Sequence, residues 1–137
     1  MLQPKKAKYR NQMRGEIKRT AQKGAGLNFG EYGLKALRGC WLTARQIEAA
    51  RKSVMHLTKR GGRFWIRVFP DKPVTKRPPE VRMGGGKGLV DSYVAVVSAG
   101  RMLFEIGGVT EEVAMEAFKR ATQKLPIPTR FVRKEDN

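Results

Sequence analysis

A chain of 137 residues with 29 Lys and Arg against 12 Asp and Glu carries a net charge of +17, at which an isolated compact domain repels itself and a polyanion is the natural counterweight. The length suits one domain with one modest core, and a hydrophobic content of 40% argues against a chain unfolded throughout. A single cysteine and a single histidine exclude an internal disulfide and a zinc site, no stretch reaches the roughly 18 apolar residues of a membrane span, and the first residues lack the apolar run of a signal peptide. Cytoplasm is therefore the expected compartment. Nucleic acid is the leading polyanion, because each neutralised phosphate releases a condensed counterion. A membrane surface would want a basic helix with bulky apolar residues opposite, and none stands outside the predicted core.

Residues 1–26 read as a basic arm. Lys5, Lys6, Lys8, Arg10, Arg14, Lys18, Arg19 and Lys23 face one acid, Glu16, and Gly24 and Gly26 mark its end. Such a run is either a solubilising tail or a segment ordered by phosphates, its backbone threaded along RNA rather than packed on protein. Tyr9 is the best base-stacking candidate within it. Residues 27–137 form the predicted domain, beginning with short strands or turns over 27–42. Thr43 with Gln46 makes a capping box, Ile47, Ala50, Val54 and Leu57 form a buried helical stripe, and Gly61-Gly62 supply the stop. Arg45, Lys52 and Lys59 lie on another face, and Glu48 with Lys52 forms an i,i+4 pair.

Residues 64–69 predict a strand, apolar on nearly both faces and so central. Residues 93–97 and 102–106 predict a hairpin about Ser98-Ala99-Gly100. Thr110 caps a second helix with Glu111 and Glu112 at its positive end, and Val113, Ala114, Ala117, Phe118 and Ala121 face inward. Lys119, Arg120 and Lys124 crowd its last turn, and residues 129–133 predict an edge strand. The expected fold is α+β: a single domain of two helices on a mixed, mainly antiparallel sheet, with the arm attached.

Between residues 70 and 89 periodicity stops. Pro70, Pro73, Pro78 and Pro79 stiffen this loop, Gly84-Gly85-Gly86 and Gly88 loosen it, and Lys72, Lys76, Arg77, Arg82 and Lys87 outnumber Asp71 and Glu80. Glycines admit a phosphate close to the backbone and the cations supply charge. A P-loop is excluded, since Val81 stands where its first glycine belongs and Gly88 where its hydroxyl belongs. His56 reads as solvated or RNA-facing, Cys40 as a small buried or half-buried residue, and Trp65 as core. Nothing here forms a catalytic centre, and no cofactor or metal is expected. A nucleotide-dependent or RNA-modifying enzyme and a DNA-architectural protein remain the rival classes.

Longer strings carry a resemblance. Met1-Leu2-Gln3-Pro4-Lys5, Leu42-Thr43-Ala44-Arg45-Gln46-Ile47-Glu48-Ala49-Ala50-Arg51-Lys52, Trp65-Ile66-Arg67-Val68-Phe69-Pro70-Asp71-Lys72-Pro73-Val74-Thr75 and Arg82-Met83-Gly84-Gly85-Gly86-Lys87-Gly88 occur in order. They resemble the bacterial large-subunit ribosomal protein sixteen, of the universal family that includes the archaeal and eukaryotic L-ten-e proteins. The resemblance implies an α/β-hammerhead-type domain in the large ribosomal subunit, cytoplasmic or organellar. It implies binding to 23S-type rRNA, support of late subunit assembly, and contact with A-site and P-site tRNA beside neighbouring ribosomal proteins, with no membrane and no homo-oligomer. By that likeness the arm enters rRNA, joined by Arg45, Lys59, Arg60, Arg63, Lys72, Lys76 and Arg77. Arg51, Lys52 and His56 face the tRNA elbow, and Arg82, Met83, Gly84, Gly85, Gly86 and Lys87 approach the peptidyl-transferase region. Three positions depart from the family pattern. Gly85 replaces a lysine or serine, Ser92-Tyr93 a Tyr-Trp pair, and His56 a residue often basic in relatives.

Overall fold

The computed structural model describes residues 2–5, 17, 20–21, 23–76 and 89–134; of Lys76, Leu89, Val90 and Asp91 it describes the backbone alone. Among these the order is β1 (Tyr32–Ala36), β2 (Cys40–Thr43), α1 (Ala44–Thr58), β3 (Arg63–Ile66), β4 (Lys72–Lys76), β5 (Leu89–Val97), β6 (Met102–Gly107), α2 (Glu111–Thr122) and β7 (Thr129–Arg133). The domain is α+β. The strands form two sheets rather than the one expected, a four-stranded β3-β6-β1-β7 and a three-stranded β2-β5-β4. Every ladder between them is antiparallel, so the expected mixed character is absent from the named strands.

The central apolar strand is β6, buried at all six positions, because both β1 and β3 flank it and core lies on both faces. The expectation that residues 64–69 would be central is overturned. That segment is strand only to Ile66, and β3 pairs with β6 alone, at the sheet edge. Its alternation explains this: Phe64 stacks on Phe104 at 5.4 Å, while Trp65 turns the other way onto the exposed Phe29 at 6.0 Å. The expected hairpin is also corrected. Both strands exist, but β5 pairs with β2 and β4, and β6 with β1 and β3. Residues 98–101 therefore carry the chain from one sheet to the other. The Gly100 N–H donates to the Ala36 carbonyl at 2.7 Å, which fixes the corner to β1.

The supposed aperiodic loop holds β4 at its start, and β5 begins at its end. Pro73 is tolerated in β4 because that strand is an edge, with no partner needed on one side. Of the arm, Ala21 donates its N–H to the Ala99 carbonyl at 2.7 Å, Thr20 bridges Ala99, and Leu2 packs on the core. For these residues the backbone lies on protein, not away from it.

α1 is capped as its sequence predicts: the Gln46 N–H donates to Thr43 Oγ1 at 3.2 Å and the Thr43 N–H to Gln46 Oε1 at 3.0 Å. Ile47, Ala50 and Val54 are fully buried and Leu57 packs partly against them. The stop comes before the glycines. Lys59 and Arg60 both adopt the left-handed conformation, at φ 53° and 63°. Gly62 follows at φ 74°, where an added Cβ would stand 2.5 Å from the Gly107 carbonyl oxygen. α2 packs on α1 and buries Ala114, Ala117, Phe118 and Ala121; the three alanines let the helices approach closely, and Phe118 meets Phe131 of β7. Val113, expected inward, is instead exposed.

Candidate nucleic-acid interface

α1 and α2 pack side by side and leave between them an open cleft of about 640 Å³. Lys52 and His56 from α1 meet Lys119, Arg120 and Lys124 from α2 on its walls, with Glu116 as the one carboxylate there. All six are exposed, so their charge reaches solvent. Arg120 sits 3.4 Å from Glu116, an exposed pair of little energetic weight. Lys52, Lys119 and Lys124 have no ion-pair partner among the described residues. A concave surface with this excess of cations attracts a phosphate backbone, and the imidazole adds a hydrogen-bonding group.

The α2 cations belong to this surface, though the sequence reading placed them in no binding site. Basic residues in a last turn also complement the helix dipole, and that reading hid them. The helix pairing that unites them with Lys52 is a tertiary fact. Conversely, Arg51 is less available than expected: its guanidinium holds the Glu48 carboxylate, with Nε at 3.0 Å, and draws that carboxyl below its ordinary value. The expected Glu48–Lys52 pair gives way to this i,i+3 pair, leaving Lys52 for the cleft.

Beyond the cleft, Lys59 and Arg60 form the turn after α1 and Arg63 opens β3, all exposed. Arg45 is exposed at the first turn of α1, and Lys5 and Lys23 are exposed in the arm. Lys72 lies over the Trp41 ring at 4.8 Å, so the three-stranded sheet presents a cation held on an aromatic face. Lys6, Lys8, Tyr9, Arg10, Arg14, Lys18, Arg19, Arg77, Arg82, Met83, Gly84, Gly85, Gly86 and Lys87 lie outside the described residues, as does the side chain of Lys76.

Sequence reasoning also missed the only buried charge among the described residues. Glu105, in the middle of β6, is fully buried and accepts from the backbone N–H groups of Asn28 (3.1 Å), Phe29 (2.9 Å) and Gly30 (2.9 Å), and from the Arg67 guanidinium. Burial pushes the carboxyl up, but the Gly30 and Phe29 donors and Arg67 together outweigh it and hold it below the ordinary value. Gly30 is required there, since a Cβ would stand 2.7 Å from the Ile106 carbonyl oxygen. Arg67 also donates to the Gly26 carbonyl at 3.0 Å and lies over Phe29. This is a structural clamp. Cys40 offers no nucleophile either, because burial pushes its thiol up to about 11. Among the described residues no cluster of His, Cys, Asp and Glu is placed to hold a metal ion, and no helix is long and apolar enough to cross a membrane.

The sequence profile of the family described as ribosomal protein L16p/L10e matches residues 4–132. The chain belongs to the ribosomal protein L16p/L10e family. It is thereby a structural protein of the large ribosomal subunit, in a cytoplasmic or an organellar ribosome, and a component of the translation machinery. The match spans the cleft, the α1 turn, Lys5 and the basic residues that follow it, and residues 77–88.

Proposed function

We propose that the chain is a non-catalytic constituent of the large subunit that binds 23S-type rRNA through its basic surfaces and supports late assembly. The observation that carries this is the cleft between α1 and α2, where four cations and a histidine converge about one carboxylate. Family membership supplies the RNA, and the cleft supplies a surface with the charge and concavity to follow its backbone. Lys59, Arg60 and Arg63 extend that surface past the end of α1. The arm from Lys5 to Lys23, with Lys72, Lys76 and Arg77, is a second rRNA-binding region in this reading.

The finer part of the reading is tRNA. Arg51, Lys52 and His56 would meet A-site tRNA, with residues 82–87 extending that surface toward the peptidyl-transferase region and P-site tRNA as a further contact, and cytoplasm is the compartment in which this occurs. Cosedimentation with large subunits through a high-salt wash tests the assignment, and a chain recovered free of ribosomes would overturn it. Substituting Lys52, Lys119 and Lys124 together by alanine should weaken binding to rRNA fragments and flatten its salt dependence by about two units of log–log slope, each phosphate contact contributing roughly 0.7–0.9. Arg82→Ala should spare incorporation and slow tRNA accommodation. Unchanged accommodation would remove the loop from the tRNA assignment.

A further inference from the structure

The seam between α2 and β7 has a chemistry opposite to that of the basic cleft. β7 is the outermost strand of its sheet, bonded to β1 on one side. The Leu37 N–H donates to the Pro128 carbonyl at 3.1 Å and the Lys134 N–H to the Glu31 carbonyl at 2.9 Å. By antiparallel alternation, Arg130 and Val132 also turn their backbone groups to β1, whereas Thr129 and Phe131 turn theirs outward. Among the described residues nothing pairs with those outward groups.

Beside that edge runs a mainly apolar groove of about 490 Å³, with Leu34, Phe118 and Phe131 in its walls and Met115 at 45% exposure. Glu112 and Glu116 line it with Lys119; Glu116 and Lys119 lie on the ridge shared with the basic cleft, where Arg120 pairs with Glu116, and Glu112 belongs to this groove alone. In a chain of net charge +17, this is a local acidic rim on an apolar trough. We propose that the β7 edge and this groove take up an extended segment of another large-subunit protein, added to the sheet as a strand beyond β7, with alternate apolar side chains in the groove and lysine or arginine toward Glu112 and Glu116.

Three physical points select this occupant. Open backbone donors and acceptors on an edge strand are satisfied by a partner strand, and alternate side chains of that strand fall on one face. RNA is disfavoured in the trough itself, because its apolar walls offer phosphate no donors and Glu112 at its rim repels it. A second copy is disfavoured because it would bring its own +17 against this one. The inference rests on the family membership and is independent of which RNA the cleft contacts.

The test places the photo-crosslinker p-benzoylphenylalanine at position 115 of the full chain, in assembled ribosomes. The expected product is a crosslink to another protein, mapped by mass spectrometry to a segment with apolar residues at alternate positions and flanking Lys or Arg. The double substitution Glu112→Lys and Glu116→Lys should lower its yield about fivefold or more, as expected for a rim turned repulsive, with the domain still folded by circular dichroism. Crosslinks to rRNA, to this chain's own residues or to a second copy would overturn the proposal. So would a mapped segment without that pattern, a yield indifferent to the charge reversal, or no crosslink.

Discussion

Consecutive left-handed residues at Lys59 and Arg60 separate stability from function at one turn. The left-handed region costs a residue with a Cβ about 1–2 kcal/mol, and glycine is the usual occupant of a helix C-terminal turn. Part of that gain is offset by the extra freedom glycine has in the unfolded chain, about 0.5–1 kcal/mol per residue. Replacing both residues by glycine should therefore stabilise the free protein by about 1–2 kcal/mol. For a domain of this size that raises the melting temperature by roughly 3–8 °C, read by calorimetry. If both side chains lie on phosphates, the same variant should bind rRNA fragments less tightly, with a log–log salt slope shallower by about 1.5. The paired alanine variant keeps the strain and removes the charge, so it should lose affinity without gaining stability. A glycine variant that melts lower would refute the strain argument, and an unchanged salt slope would refute the role of the two cations.

Glu105→Gln should destabilise the domain by about 3 kcal/mol, because Arg67 loses its carboxylate in a buried site; denaturant titration measures this. Since the folded carboxyl titrates below its ordinary value, its stabilising contribution is complete above the ordinary carboxylate range and is lost as pH falls through the folded value. The wild type should therefore lose stability on acidification across that window, and the Gln variant should lose less. Cys40, held near 11 against 9.0, should react with iodoacetamide at neutral pH about a hundredfold more slowly in the native than in the unfolded chain, in proportion to its thiolate fraction. Gly62→Ala should cost about 2 kcal/mol or more, because the new Cβ meets the Gly107 carbonyl at a φ that alanine rarely adopts.

What the sequence disclosed was what neighbours along the chain decide. The Thr43–Gln46 box, the Ile47-Ala50-Val54 stripe and the Thr110 cap each depend on residues within a turn or two, and each is where the pattern places it. What it hid depends on distant partners. Residues 64–69 are apolar enough for a central strand, yet β6 takes that place because β1 and β3 both pair with it. Ser98-Ala99-Gly100 has the composition of a hairpin turn, but β5 finds its partners in β2 and β4. The cleft is half visible in the sequence: Lys52 and His56 stand out, whereas Lys119 and Lys124 join them only because the buried faces of the two helices bring α2 against α1. Glu105 gave no signal, since a glutamate inside an apolar strand is indistinguishable in sequence from one on an edge.

Salt should act in opposite senses on the free protein and on its RNA complex, and the contrast tests where the charge resides. The Glu105–Arg67 pair is buried, and buried pairs are screened little. The exposed pairs Glu116–Arg120 and Glu111–Arg133 are weak contributors. What remains is the repulsion within a net +17, which raises the energy of the compact state more than that of the expanded chain. Raising ionic strength from about 0.01 to 0.15 M shortens the screening length from about 30 to 8 Å, which is less than the width of the domain. The melting temperature of the free protein should rise across that range while rRNA affinity falls. A melting temperature that fell instead would mean that surface ion pairs outweigh the repulsion. The excess charge could then no longer be read as a cost that the fold bears for the sake of its RNA.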